Sequence, residues 1–292
     1  MTDTSALRAA SVAERKRIRK ERIAQLRRNP AFIFGSLLLS VWIICAIFGE
    51  LLAPKDPGFV DVLVVNKPPS NEYWFGTDNI GRDVFSRIIA GARPILIMAT
   101  ASTVMATILG SSLGLLTGYL KGRFDVITMR ILDAINALPV IVIALLALAA
   151  LDGQSEAITV LIIGFVFTPI IARTVRAAVL NEAELDYVAA AKLRTEKMPH
   201  ILFVEILPNV LPPIIVEFTI RLGYAVFAIA TLSFLGVGVE LGSPNWGSQV
   251  AENYSGIFGK IWWSTIFPAG AIATLAIGIN LIADSIMEAF EI

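Results

Sequence analysis

The segment YVAAAKLRTEKMPHILFVEILPN, residues 187–209, is polar and helix-prone, yet it lies between two long apolar runs. It carries three basic and two acidic residues and contains no glycine. Two long apolar runs joined by a short polar segment are typical of two membrane spans connected by a loop. The segment therefore indicates a polytopic membrane protein and raises the question of which side it faces.

The composition is also that of a membrane protein. The 292 residues are 56% hydrophobic and only 16% charged, and their mean hydropathy is +0.73. Cys45 is the only cysteine and His200 the only histidine, which excludes a disulfide framework, a His/Cys zinc site and the usual histidine-dependent catalytic triad. There is no GxxxxGK[ST] phosphate loop. The sequence thus predicts no catalytic residue, no metal site and no cofactor in this chain.

Six apolar runs predict six transmembrane helices and an all-α fold. The runs cover residues 31–49, 94–120, 131–151, 157–172, 210–237 and 261–283. The first run could be a signal peptide, but it is long for one and lacks a convincing cleavage site. We therefore divide the chain into a basic N-terminal arm (1–30), a first transmembrane helix (31–53), a polar loop (54–93) and a five-span core (94–292).

The distribution of lysine and arginine predicts a cytoplasmic N-terminus. Residues 1–30, 121–130 and 173–208 carry 17 of the 24 basic residues, whereas 54–93 carries five beside five acidic residues. The positive-inside rule then puts residues 187–209 in the cytoplasm and 54–93 outside. The basic arm is interpreted as an orientation signal that contacts membrane lipids, rather than as a nucleic-acid site.

The polar segment itself predicts a short helix that projects from the membrane. Asp186 is a good N-cap residue, and the YVAAAKLR that follows consists largely of helix-forming residues. Such a helix can dock in a groove of another protein, where small alanines permit close approach. A plain solvated linker between two spans is the other interpretation, and these residues alone leave it open.

The same segment resembles the cytoplasmic loop of permease subunits in binding-protein-dependent ABC importers. The family form is approximately Y-V-E-A-A-x-x-x-G-x(9)-H-x-L-P-N, and it aligns without gaps. The matching residues are Tyr187, Val188, Ala190, Ala191, Leu207, Pro208 and Asn209. Ala189 stands in place of the glutamate, Thr195 in place of the glycine and Glu205 in place of the histidine.

Four other stretches extend the resemblance to most of the chain. WFGTDNIGRDVFSRIIAGAR at 74–93 is similar to the G-T-D-x-x-G-R-D-x-x-S-R-x-x-x-G-x-R signature of dipeptide, oligopeptide and nickel permeases. RRNPAFIFGSLLL at 27–39 and LSFLGVGVELGSPNWG at 232–247 resemble the C-type subunit of that group, and GRFDVITMRILDAINALP at 122–139 also fits. The stretches occur in the family's order.

The resemblance implies one half of the translocation pathway of an ATP-driven peptide importer that works by alternating access. The implied partners are a B-type permease, two cytoplasmic ATPase domains that bind the ATP and magnesium, and an extracytoplasmic solute-binding protein. The implied location is the bacterial cytoplasmic membrane. Import of nickel or another small solute is the alternative. An intramembrane lipid-modifying enzyme is less attractive, because the spans contain few ionisable residues away from their ends. A secondary carrier is less attractive, because the chain has six predicted spans and no evident internal repeat.

The resemblance also implies a coupling helix, which would insert into the ATPase, within residues 178–208. Its candidate residues are Asp186, Tyr187, Val188, Ala189, Ala190, Ala191, Lys192, Arg194, Thr195, Glu196 and Pro208. Ala189 removes half of a possible capping box with Asp186. Because a β-branched residue adopts the left-handed conformation poorly, we expect Thr195 to cap the following turn and the first helix to end near Arg194.

Three further groups of residues are candidates. The loop residues Gly76, Asp78, Gly81, Arg82, Asp83 and Arg87 predict an internally paired knot, in which Arg82 or Arg87 pairs with Asp78 or Asp83; docking of a binding protein is compatible with it. Arg130 with Asp133, and Glu217 with Arg221, share helix faces near the cytoplasmic ends of spans, which predicts local pairing or contact with the coupling loop. Trp262 and Trp263 predict an interfacial belt.

Overall fold

The computed structural model describes residues 17, 21, 23–151, 155–240 and 242–290, so most of the predicted basic arm lies outside it. Within these ranges the chain forms helices and no strand, which confirms the all-α prediction. The helices are α1 (Pro30–Leu52), α2 (Val84–Leu120), α3 (Gly122–Asn136), α4 (Val140–Ala150), α5 (Glu156–Glu182), α6 (Asp186–Leu193), α7 (Leu207–Phe234), α8 (Trp246–Asn253) and α9 (Trp263–Phe290).

Five helices among the described residues are long and apolar enough to cross a membrane. They are α1, α2, α5, α9 and the continuous helix Met198–Phe234, which contains α7. The predicted third span is not one straight helix, because α3 and α4 meet at 84°. Pro139, at the end of the break, cannot donate a backbone hydrogen bond and disfavours a helical conformation at the residue before it. A sixth span is present only if this bent pair crosses as a unit.

Several helices extend beyond the predicted spans, as α2 and α5 show. α2 begins at Val84, ten residues before the predicted start of the second span, because the Asp83 carboxylate accepts hydrogen bonds from the backbone N–H of Ser86 at 2.8 Å and from its hydroxyl at 2.6 Å. α5 continues to Glu182, ten residues past the predicted end of the fourth span. Both errors arose because the spans were delimited by charged residues, and helices do not stop where charge begins.

The centre of the fold is the pair formed by α2 and α5. Gly110, Gly114 and Gly118 recur every fourth residue along α2 and face α5. A Cβ atom on Gly114 would lie 2.7 Å from both the carbonyl oxygen of Ala172 and the Cβ of Val175. Small residues at this spacing let two membrane helices approach to backbone contact. The other spans pack around this pair, with α1 against α2 and α9.

Candidate functional site

The predicted coupling segment folds as two helical pieces joined by a tight turn. The first piece is α6, and the second begins at Met198 and runs without interruption into α7. The second piece widens to a π-helix over Ile201–Ile206, where the N–H of Leu207 donates to Leu202 O. Pro208 follows directly, and a proline inside a helix lacks an N–H and clashes with the carbonyl four residues earlier. The widened turn accommodates that proline, and such turns are frequent at functional sites.

A left-handed residue ends α6. Thr195 has φ of +55°. Its N–H donates to Lys192 O at 3.0 Å, and the N–H of Glu196 donates to Ala191 O at 3.2 Å, which is the Schellman pattern of helix termination. The predicted helix end near Arg194 is therefore confirmed. The turn keeps the conformation that suits the family's glycine, although threonine occupies it with a strain of about 1–3 kcal/mol.

Two capping predictions for this segment are wrong. The Thr195 hydroxyl donates to Arg194 O at 2.7 Å and caps no following turn. Asp186 is not the N-cap of α6 but its first residue, and the N-cap position is held by Leu185 without a side-chain hydrogen bond. The Asp186 carboxylate still lies at the positive end of the helix dipole, which is the favourable end for an anion.

The faces of α6 separate the candidate coupling residues into two sets. Val188 and Ala191 are fully buried within this chain, so they hold the helix in place. Ala189 and Lys192 are exposed, and the side chain of Leu193 is 86% exposed. A large apolar side chain left in the open beside a base and a small residue is a typical feature of an interaction surface.

An ion-pair network ties the end of α6 to the base of α7. Arg194 Nε lies 2.7 Å from Glu196 Oε1, and Arg194 Nη2 lies 3.1 Å from Glu205 Oε1. His200 Nε2 lies 3.4 Å from the other oxygen of Glu196. Glu205, which departs from the family histidine, thus has an ionic partner on the loop itself. Although Glu196, His200 and Glu205 lie close enough to hold a metal, Arg194 already pairs with both carboxylates.

Tyr187 links three elements at the base of the loop. Its hydroxyl donates to Glu182 Oε2 at 2.5 Å, at the end of α5, and accepts from Asn209 Nδ2 at 3.0 Å, in α7. Burial, followed by the hydrogen bond to Glu182, raises the pKa of Tyr187 to about 12. The phenol is therefore neutral at physiological pH and keeps its donor. Its contribution to stability is present below the ordinary tyrosine pKa and is lost as the pH rises through 12.

The residues predicted to form a knot in the 54–93 loop do come together. Arg82 Nε lies 2.6 Å from Asp78 Oδ2, and Arg82 also pairs with Glu252 at the end of α8. Asp78 Oδ1 accepts from the N–H of Arg82 at 2.8 Å. Burial by itself would lower the pKa of Arg82, but the two carboxylates outweigh it and the pKa is raised. A Cβ on Gly81, where φ is +88°, would lie 1.9 Å from Asp61 O, so only glycine fits there.

Arg87 pairs with no carboxylate among the described residues, contrary to one of the predicted pairings. It is 1% exposed and donates to Pro57 O at 3.1 Å and to Ser243 O at 3.0 Å. It therefore connects α2 to the loop after α1 and to the loop before α8.

The predicted interfacial belt is wrong for Trp263, which is buried and donates from Nε1 to Thr77 O at 3.0 Å. Trp262 is half-exposed, as a residue of such a belt would be.

We expect Arg82→Ala to destabilise the fold by about 3–5 kcal/mol, because the buried Asp78 carboxylate would lose its counter-ion. Lys67→Ala is the matched control, since its pair with Glu72 is exposed and contributes less than about 1 kcal/mol. Denaturant titration of the subunit in detergent measures both. Equal unfolding midpoints for the two variants, together with lost docking of a binding protein to Arg82→Ala, would contradict the structural interpretation.

The charges at the membrane ends pair both between helices and, in one case, within a helix. Asp133 of α3 pairs with Arg173 of α5, not with Arg130 as its position on the same face predicts. The predicted pair of Glu217 and Arg221 is present, with Arg221 Nε 3.0 Å from Glu217 Oε2. Arg176 makes a bidentate pair with Asp125, and the Thr174 hydroxyl donates to Glu217 at 2.8 Å. These contacts join α5 to α3 and to α7.

Comparison with known proteins identifies the family. The family described as the binding-protein-dependent transport system inner membrane component matches residues 110–291. The chain belongs to this family. The family described as the N-terminal TM domain of oligopeptide transport permease C matches residues 19–69 of the permease. Together the two matches cover most of the described helices.

Individual relatives cover nearly the whole permease. It is 35% identical over 266 residues to the probable D,D-dipeptide transport system permease protein DdpC of Escherichia coli K12, with 91% of this chain and 89% of the relative covered. It is 35% identical over 272 residues to the dipeptide transport system permease protein DppC of Alkalihalophilus pseudofirmus, with 93% and 89% covered. A putative peptide transport system permease protein of Brucella abortus is 36% identical over 269 residues, with 91% and 89% covered.

Sequence reasoning missed several contacts of the permease. The recurrence of glycine at 110, 114 and 118 was a readable signal for close helix packing. The pairing of Arg194 with Glu205 could not be read from the sequence, because it depends on the angle between α6 and the helix that follows.

Proposed function

We propose that the permease is the C-type transmembrane subunit of an ATP-driven, binding-protein-dependent peptide importer. It forms half of the translocation pathway with a B-type permease and works by alternating access. The main support for this proposal is the loop between α5 and α7. There the short helix α6 ends at a left-handed residue, and its side chains Ala189, Lys192 and Leu193 are exposed. The names of the relatives support a dipeptide or oligopeptide as the substrate.

The loop would couple the permease to a cytoplasmic ATPase. Its helix is held to the permease by Val188 and Ala191, and the turn is braced by Arg194 and Glu205, so a force on the exposed face is passed to α5 and α7. ATP and magnesium would be bound by two ATPase domains and not by this chain. The paired loop around Arg82 would supply a rigid outer surface for a solute-binding protein.

We further propose that the N-terminus and the coupling loop face the cytoplasm of a bacterial cell, with residues 54–83 outside. The distribution of basic residues supports this orientation. A cysteine introduced at Ser70 should be labelled by an impermeant thiol reagent in intact cells, and one at Thr195 only after permeabilisation. Labelling at Thr195 in intact cells would contradict the orientation.

Reconstituted transport tests the function itself. Vesicles that contain the purified complex, with ATP enclosed and binding protein outside, should accumulate a labelled dipeptide or oligopeptide. Uptake should require ATP and binding protein together, whereas a secondary carrier would need only an ion gradient and an intramembrane enzyme would modify rather than move its substrate. Uptake of nickel in place of peptides under the same conditions would favour the alternative substrate.

A further inference from the structure

A cavity of about 640 Å³ opens between the last turns of α1 and the first turns of α2. It is separate from the coupling loop and from the paired residues around Arg82. Its walls include Phe48, Leu51, Glu50 and Arg93. α1 departs from helical geometry at Phe48, where φ is −107° and ψ is 17°, next to the cavity.

Two opposite charges face this cavity without meeting. Glu50 and Arg93 are both exposed, and within the described part of the chain neither side chain makes an ion pair or a hydrogen bond. Lys55 and Asp56 also line the cavity but are engaged, Lys55 at 3.4 Å from the centre of the Tyr73 ring and Asp56 with the N–H of Gly58 at 2.8 Å. Glu50 and Arg93 both belong to membrane-spanning helices, and ionised groups within the membrane are costly unless they find partners.

The two free charges lie at different depths. Gly49 is level with Ala90, because a Cβ on Gly49 would be 3.9 Å from the Ala90 Cα. The chain runs toward this membrane surface at the end of α1 and away from it in α2. Glu50, one residue after Gly49, is therefore nearer the surface, and Arg93, three residues after Ala90, is nearer the membrane interior. With a rise of 1.5 Å per residue, the Cα of Glu50 is about 6 Å nearer the surface than the Cα of Arg93.

Apolar side chains complete the cavity wall. Ile47 and Leu51 line it and are 67% and 84% exposed. Both belong to a membrane-spanning helix, where exposed apolar residues face hydrocarbon chains. The cavity therefore combines a cation at depth, an anion nearer the surface and an apolar wall that continues into the membrane.

We propose that this cavity binds the headgroup of an aminophospholipid such as phosphatidylethanolamine. In such a lipid the phosphate lies between the acyl chains and the primary ammonium, so the phosphate reaches Arg93 and the ammonium reaches Glu50. An anionic phospholipid without an amine would leave Glu50 unpaired, and a choline headgroup has no N–H to donate to it. Because a headgroup layer borders the hydrocarbon on both sides, the site does not depend on which way the permease faces.

Native mass spectrometry of the full-length permease, with its co-purifying subunits, tests the site. Phosphatidylethanolamine, phosphatidylcholine and phosphatidylglycerol are titrated separately into the delipidated sample. We expect tightest binding of phosphatidylethanolamine, and a loss of about tenfold in its affinity in both Arg93→Gln and Glu50→Gln, as for the loss of one charge-assisted hydrogen bond. Arg93→Lys should recover most of the affinity.

Arg130→Gln is the matched control, because Arg130 is also exposed and makes no ion pair with any residue that the structure describes, but lines a different cavity. It should bind phosphatidylethanolamine as wild type does, and unfolding midpoints exclude misfolded variants. Equal binding by wild type, Arg93→Gln and Glu50→Gln would overturn the proposal. Equal affinity for phosphatidylglycerol, or binding of a free dipeptide that displaces the lipid, would overturn it as well.

Discussion

Replacing Gly114 with valine should sharply lower both the yield and the unfolding midpoint of the permease. A Cβ there would lie 2.7 Å from the Ala172 carbonyl oxygen and from the Val175 Cβ, and neither is the end of a flexible side chain. α2 and α5 would have to separate along the contact on which the other spans pack. Overpacking a rigid interface costs about 1–3 kcal/mol and occasionally more, and we expect the upper end here.

Gly270→Val is the control for this substitution. Gly270 also lies within a membrane helix, α9, but a Cβ on it would meet nothing within 4 Å. Both variants introduce the same β-branched residue into a helix, so the difference between them isolates packing against α5. Size-exclusion profiles and thermal unfolding of the isolated subunit in detergent measure it. Equal yields and equal midpoints for the two variants would show that the contact between α2 and α5 is more pliable than the structure indicates.

The order of the membrane helices, and five of the six predicted spans, could be read from the sequence because long apolar runs leave few alternatives. The positions at which these helices bend and end could not be read in the same way. The third span bends just before Pro139, where a proline disfavours the helical conformation of the preceding residue. Three other prolines, Pro94, Pro169 and Pro268, lie inside continuous helices. The difference depends on whether neighbouring helices satisfy the freed backbone groups, which local sequence does not determine.

The candidate site was predictable as a segment but not as a surface. Tyr187, Ala190 and Asn209 marked its position through their family spacing. Which alanines face outward depends on how α6 rests on its neighbours, and Ala191 is buried while Ala189 is exposed. Similarly, the helical spacing places Arg130 near Asp133, whereas the packing of α3 against α5 places Arg173 there. Asp133 pairs with Arg173, which the sequence alone could not predict.

Thr195 shows how local preference and fold compete. A β-branched residue disfavours a positive φ, so the sequence predicted a different turn. The buried contacts of Val188 and Ala191 and the ion pair between Arg194 and Glu205 hold the chain on both sides of the turn. Tertiary contacts worth more than the local strain therefore impose the left-handed conformation.

We propose that the exposed face of α6 transmits ATPase motion to the membrane helices. Ala189→Trp tests it most directly, because Ala189 is exposed in the isolated permease and a tryptophan there disturbs only a partner. Ala191→Trp would be uninformative, since Ala191 is fully buried within the chain. Ala24→Trp is the matched control on the same proposed side of the membrane, at another exposed alanine.

The decisive measurement is ATP hydrolysis and peptide uptake by the reconstituted complex, with binding protein and substrate present. With Ala189→Trp, substrate-stimulated hydrolysis and uptake should fall together by about fivefold to 150-fold, the effect of a misfit of about 1–3 kcal/mol at a docking interface. Membrane insertion and docking of the binding protein should stay at the level of wild type and of Ala24→Trp. Coupled transport by Ala189→Trp at the wild-type rate would contradict the account, because only a solvated linker would accept that change.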